Sequence, residues 1–144
     1  MSISIDISGL KEIMARMVQF PVMLEEEAKI TMHASLEVLH ENVPPYPQVP
    51  NPTRTGTLGR TLGASMSGST MGAPDIFDVV PLGEGNVSGR FGTNLGYAPY
   101  VIGEEQAWMH YRWWRIKDIA SAAQEKIVSL WRGLMDDLAA FLEG

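Results

Sequence analysis

Five prolines fall within nine residues, at Pro44, Pro45, Pro47, Pro50 and Pro52, and nothing else in the chain restricts its fold so strongly. Each one fixes φ near about −65° and removes a backbone donor, so neither a helix nor a central strand can run through this stretch. The chain is divided there. The N-terminal part must finish folding by Val43, and the C-terminal part must start afresh near Thr55. Residues at about 44–54 are therefore read as an extended, polyproline-like arm or loop. Two roles suit it. It is a spacer, or it is an arm lying on a neighbouring subunit with Tyr46 and Val49 to bury.

Upstream, Ile3, Ile5 and Ile7 alternate with Ser2, Ser4 and Asp6, the period of a half-buried strand. Beyond Gly9, Leu10, Ile13, Met14, Met17 and Val18 recur at helical spacing up to Phe20. Pro21 can open a further helix, with Glu25, Glu26 and Glu27 near its positive end and Leu24, Ala28, Met32, Leu36, Leu39 and Val43 along one face. Two helices, or one kinked at the proline, both satisfy this pattern.

Downstream, Arg54 to Leu62 reads as a turn into a short helix closed by Gly63. Ile76 to Leu82 and Val87 to Thr93 read as a hairpin about the turn at 83–86. A lone hairpin is marginal, and the N-terminal strand and the Ser65–Met71 segment are the candidates for a third strand. Ile119, Ala123, Ile127, Leu130, Trp131, Leu134, Leu138 and Phe141 mark one face of a C-terminal helix that begins at Asp118 or nearer Trp108. The expected fold is α+β: a small, mainly antiparallel sheet packed against a long N-terminal helix and a C-terminal helix, as one domain over residues 1–144. A chain of 144 residues is long enough for one core and too short for two.

Several function classes have little support. There is no cysteine, which removes disulfides, thiolate metal sites and a thiol nucleophile. No apolar run approaches the ~18 residues of a membrane span, and the opening residues have neither a basic nor an apolar signal region. Synthesis in the cytoplasm without export is the expectation. A net charge of −6 opposes general phosphate binding. Locally, however, Arg112, Arg115 and Lys117 stand among Trp108, Trp113 and Trp114, a composition able to stack bases or dock a protein. A binding module that uses this Trp108–Lys117 patch for a protein or nucleic-acid partner is the alternative reading. His33, Glu37 and His40 share a helix face at i, i+4 and i+7, a spacing that zinc can use, but no second cluster supplies a fourth ligand. No nucleophile elbow, Walker loop or dinucleotide fingerprint occurs. The expectation is a protein that is not an enzyme and holds no cofactor or metal.

The segment from Arg90 to Val101 (RFGTNLGYAPYV) carries the chain's most distinctive pattern. Gly92 and Gly96 allow sharp turns or close backbone approach, Asn94 can bond its own backbone, and Tyr97 and Tyr100 flank Ala98-Pro99. The reading is a strand that runs into a rigid aromatic corner made for packing or docking. Gly92-Thr93-Asn94 followed by Tyr97-Ala98-Pro99-Tyr100-Val101, together with Thr55-Gly56-Thr57-Leu58-Gly59-Arg60-Thr61-Leu62, resembles two markers of a bacteriophage minor tail component family. These are the tail-completion, or head–tail joining, proteins of long-tailed, lambda-like siphophages. The layout of the whole chain agrees, while the specific match lies in those two blocks. Where the family often continues with an acidic residue, a Gly-Thr pair and a Pro-Phe-Leu-Arg-Pro run, this chain has Ile102-Gly103-Glu104-Glu105 and then Trp113-Trp114-Arg115.

The resemblance implies a virion protein made in the host cytoplasm. It would form a hexameric ring with itself at the neck and contact the head connector or stopper protein and the tail-tube protein. DNA would pass through the lumen without sequence-specific binding, which an acidic wall would favour by repelling phosphates. No membrane is involved. The expected contact residues are Tyr46 in the arm; Thr55, Gly56, Leu58 and Arg60 in the first block; Thr93, Asn94, Tyr97, Pro99 and Tyr100 in the corner; and Trp113 and Trp114 beyond it.

Overall fold

The computed structural model describes residues 1–7, 21–44, 57–64, 72–83, 86–104 and 114–143. In chain order these form β1 (Ser2–Ile7), α1 (Pro21–Glu41), α2 (Thr57–Thr61), β2 (Ile76–Gly83), β3 (Asn86–Gly92), α3 (Ala98–Ile102) and α4 (Ile116–Glu143). The class is α+β, as expected. The helical pattern at 10–20, the proline arm and the Ser65–Met71 segment lie outside the described residues.

The three strands make one antiparallel sheet in the order β1-β3-β2. The N-terminal strand is thus the third strand that the hairpin needs. Its register sets Ile3 opposite Phe91 and Ile5 opposite Gly89, while β2 sets Phe77 opposite Phe91 and Val79 opposite Gly89. Because side chains alternate along a strand, these rungs share one face. That face is apolar and meets the helices. The other face carries the rung Ser4, Arg90 and Asp78, all exposed, and a hydrogen bond of 2.7 Å from Ser88 Oγ to Asp6 Oδ1.

α1 lies on the apolar face, with Ala28, Met32, Leu36 and Leu39 buried as their spacing predicts and Val43 buried just past its end. It can lie close because β3 offers Gly89, where an added Cβ would stand 2.5 Å from Met32 Sδ. α4 packs along α1 and buries Ile119, Ala123, Trp131, Leu134 and Leu138. This seam also contains a polar contact that hydrophobic spacing does not show. The Trp131 indole Nε1–H donates to Ser35 Oγ at 3.0 Å, and the Ser35 hydroxyl donates to the Thr31 carbonyl at 2.8 Å. Both buried donors of this relay, the Trp131 indole and the Ser35 hydroxyl, are satisfied. α4 opens at Ile116, two residues before Asp118 and eight after Trp108, the two starting points that the sequence allows. The Asp118 carboxylate accepts from the Arg115 backbone N–H at 2.8 Å and lies in the first turn, where the helix dipole favours negative charge.

Candidate interaction site

The two sequence blocks that carry the resemblance are held together in space. α2, from the first block, ends in a left-handed glycine, Gly63, with φ of 71°. Gly63 N–H bonds the Arg60 carbonyl and Ala64 N–H bonds the Gly59 carbonyl, the paired closure of a Schellman motif. His40 Nε2 sits 2.9 Å from the Gly63 carbonyl oxygen, tying this cap to α1.

Thr93, just past β3, joins α2 to the second block. Its hydroxyl donates to Thr61 Oγ1 at 2.8 Å and accepts the Leu95 N–H at 3.2 Å, while Thr61 Oγ1 donates to the Leu58 carbonyl at 2.9 Å. Its backbone N–H and C=O pair with Met1 at 3.0 and 3.1 Å. Asp75 closes the other side. Its N–H donates to the Thr61 carbonyl at 2.8 Å, and its Oδ2 accepts the Asn94 N–H at 3.2 Å. Thr61 and Asp75 were not among the expected contact residues. Thr61 lay within the first block, whereas no sequence signal marked Asp75.

On this base stands α3. Where the sequence suggests a rigid corner after a strand, the structure has a single helical turn, with Pro99 among its first two positions. A proline is tolerated there because the missing N–H has no intrahelical partner in any case. Ala98 and Ile102 are both wholly buried and anchor the turn in the core. Tyr97 and Tyr100 are 47% and 54% exposed. Three residues apart on a helical turn, the rings lie on one side and form a two-tyrosine knuckle. Gly92 is needed for close approach, since an added Cβ would meet the Met1 carbonyl oxygen, whereas Gly96 has open space around it.

The expected contact residues therefore divide. Tyr97 and Tyr100 are on the surface, as are Asn94 and Arg60. Leu58 and Thr93 are not available for docking, because Leu58 is 2% exposed in the main core cluster and Thr93 is wholly buried as the hydrogen-bonded junction. Trp114 is also a core residue, packed in the cluster that holds Ala98 and Ile102. It is thereby removed from the aromatic and basic surface patch, whose remaining tryptophans, Trp108 and Trp113, lie outside the described residues. Tyr46, Thr55 and Gly56 lie outside them too.

The zinc spacing on α1 is also resolved in part. His33 Nδ1 lies 3.3 Å from Glu37 Oε1 on the surface, and His40 is engaged by the Gly63 carbonyl. Among the described residues no group of three or more His, Cys, Asp or Glu side chains is placed to hold a metal ion. No helix among them is long and apolar enough to cross a membrane. Comparison of the chain with family models, with curated proteins and with solved structures finds no match.

Proposed function

We propose that the chain is a structural component of a phage or prophage particle, a tail-completion or head–tail joining protein that forms a ring at the neck between head connector and tail tube. Its work is assembly rather than catalysis. Identical subunits meet through heterologous contacts that close into a ring, and the ring faces connector or stopper protein on one side and tail tube on the other. DNA crosses the lumen, and the net charge of −6 disfavours its sticking to the wall.

The observation that carries this reading is the knuckle of Tyr97 and Tyr100. Two large amphipathic side chains are exposed three residues apart, on a turn whose neighbours Ala98 and Ile102 are fully buried. Holding aromatic side chains on a fixed base lowers the entropy lost when they dock, and tyrosine is enriched at interface hot spots. The hydrogen bond between Thr61 and Thr93 further supports treating the two resembling blocks as one functional unit.

Replacing Tyr97 and Tyr100 together by Ala tests the reading. Both side chains are about half exposed, so the stability of the monomer should change by no more than about 1 kcal/mol in denaturant titration. Association with itself, connector protein or tail-tube protein should weaken at least tenfold, read by sizing and by titration. A double variant that folds and still assembles like the parent would overturn the assignment of the knuckle as a contact.

A further inference from the structure

We infer that copies of this chain join by continuing the sheet, the outer edge of β2 in one copy adding in parallel to the outer edge of β1 in the next. The inference presupposes the ring proposed above and specifies its seam. It starts from which backbone groups point where. Met1 and Thr93 exchange both of their backbone hydrogen bonds. In an antiparallel ladder such pairs alternate, so Ile3, Ile5 and Ile7 also turn their N–H and C=O toward β3. Ser2, Ser4 and Asp6 then turn theirs outward. On the far side the same alternation makes Ile76, Asp78 and Val80 bond β3, leaving Phe77, Val79 and Pro81 turned outward. Pro81, which has no N–H to give, falls on the open side, where a strand proline is tolerated. Among the described residues no strand pairs with either outer edge.

The two edges fit each other in one orientation. Phe77 and Val79 turn their backbone groups outward and their side chains toward the helices. Ser2, Ser4 and Asp6 turn theirs outward with side chains on the opposite face. Direct antiparallel pairing of the two would place Phe77 beside Ser4 and send apolar and polar faces to the same side. Parallel pairing sets Phe77 opposite Ile3 and Val79 opposite Ile5, and every face is kept. In that register Phe77 N–H reaches the Ser2 carbonyl, Val79 N–H the Ser4 carbonyl, and the Ser4 and Asp6 N–H groups reach the carbonyls of Phe77 and Val79. Displaced by two residues in one direction, the register would set Asp78 against Asp6, and like charges directly opposite are unfavourable; displaced in the other, it would set Pro81 opposite Ile5, where it has no N–H to give the Ser4 carbonyl. Alongside the β1 edge runs an apolar groove lined by Ile3, Ile5, Leu39, Ile127 and Val128, and the incoming Phe77 and Val79 approach this groove on the matching face.

One copy presents β1 and the next presents β2, so the contact is heterologous, as ring closure requires. Within one copy β1 and β2 are separated by β3, which puts their backbones about 9.5 Å apart. A disulfide, which needs Cα atoms within about 7 Å, cannot join them internally. In the parallel register Ser4 faces Asp78 of the neighbour, and both are exposed, so cysteine is tolerated there.

The test is a double variant, S4C with D78C, in a chain that has no cysteine of its own. It is assembled with connector and tail-tube proteins, oxidised with copper-phenanthroline, and run beside each single variant on a denaturing gel. The inference predicts a ladder of linked copies up to ring size from the double variant and monomer from S4C and D78C alone. A ring-sized assembly whose double variant stays unlinked would overturn the sheet seam while leaving the ring intact. Dimers from S4C alone would also overturn it, since a two-fold pairing of β1 with β1 places Ser4 against Ser4. Failure of the parent chain to assemble at all would remove the ring itself and the seam with it. Amide exchange on the parent chain gives a second measure: assembly should protect the N–H groups of Ser4 and Val79 at least tenfold, and unchanged exchange there in an assembled ring would overturn the seam.

Discussion

Replacing Ser35 by Ala removes the acceptor of the Trp131 indole N–H, which is buried in the seam between α1 and α4. An orphaned buried donor costs about 1–3 kcal/mol, and urea titration of S35A should show a loss of that size. A loss below about 0.5 kcal/mol would mean that the indole finds another partner. Gly63 is the other position where one atom decides. A left-handed φ of 71° penalises any Cβ, and here that Cβ would stand 2.5 Å from His40 Nε2 and 2.8 Å from the Gly72 carbonyl oxygen. Gly63→Ala should therefore destabilise by more than about 1 kcal/mol. It should also loosen α2, seen as faster exchange of the Ala64 amide that bonds Gly59.

At the scale of elements, α4 is a long amphipathic helix whose N-terminus is fastened by one carboxylate. Asp118→Ala gives up both the bond to the Arg115 N–H and a favourable charge in the first turn. The expected loss is about 0.5–1 kcal/mol, reduced by added salt to the extent that the dipole term contributes. An unchanged melting temperature would show that the cap does not govern the helix. The elements were largely legible in the sequence because their faces are regular. Alternating isoleucines marked β1, and spaced apolar residues marked α1 and α4. What periodicity could not reveal was non-local. Ser35 and Trp131 are 96 residues apart, and the junction at Thr93 brings Thr61 and Met1 to one side chain and its backbone. Leu58 and Thr93 were expected at the surface, because a recognisable block says that residues matter without saying which of them support and which touch. The sequence marks Ala98-Pro99 as a rigid corner without showing that the corner is helical, which a proline in the first turn permits.

At the scale of the whole molecule, the account is of a two-layer subunit with three features that suit assembly: a tyrosine knuckle on a hydrogen-bonded base, two sheet edges of matching parity, and an acidic net charge. None of them requires the subunit to change shape, and each can be altered by substitutions at exposed positions. The ring is the claim on which the rest depends. The most direct measurement is the mass of the purified protein by light scattering behind a sizing column, over a concentration series, alone and with tail-tube or connector protein. The account predicts a discrete ring-sized species, formed by the protein alone or on adding one of those partners. A monomer that ignores both partners at every concentration, and shifts only when DNA is added, would contradict it and favour a nucleic-acid-binding module instead.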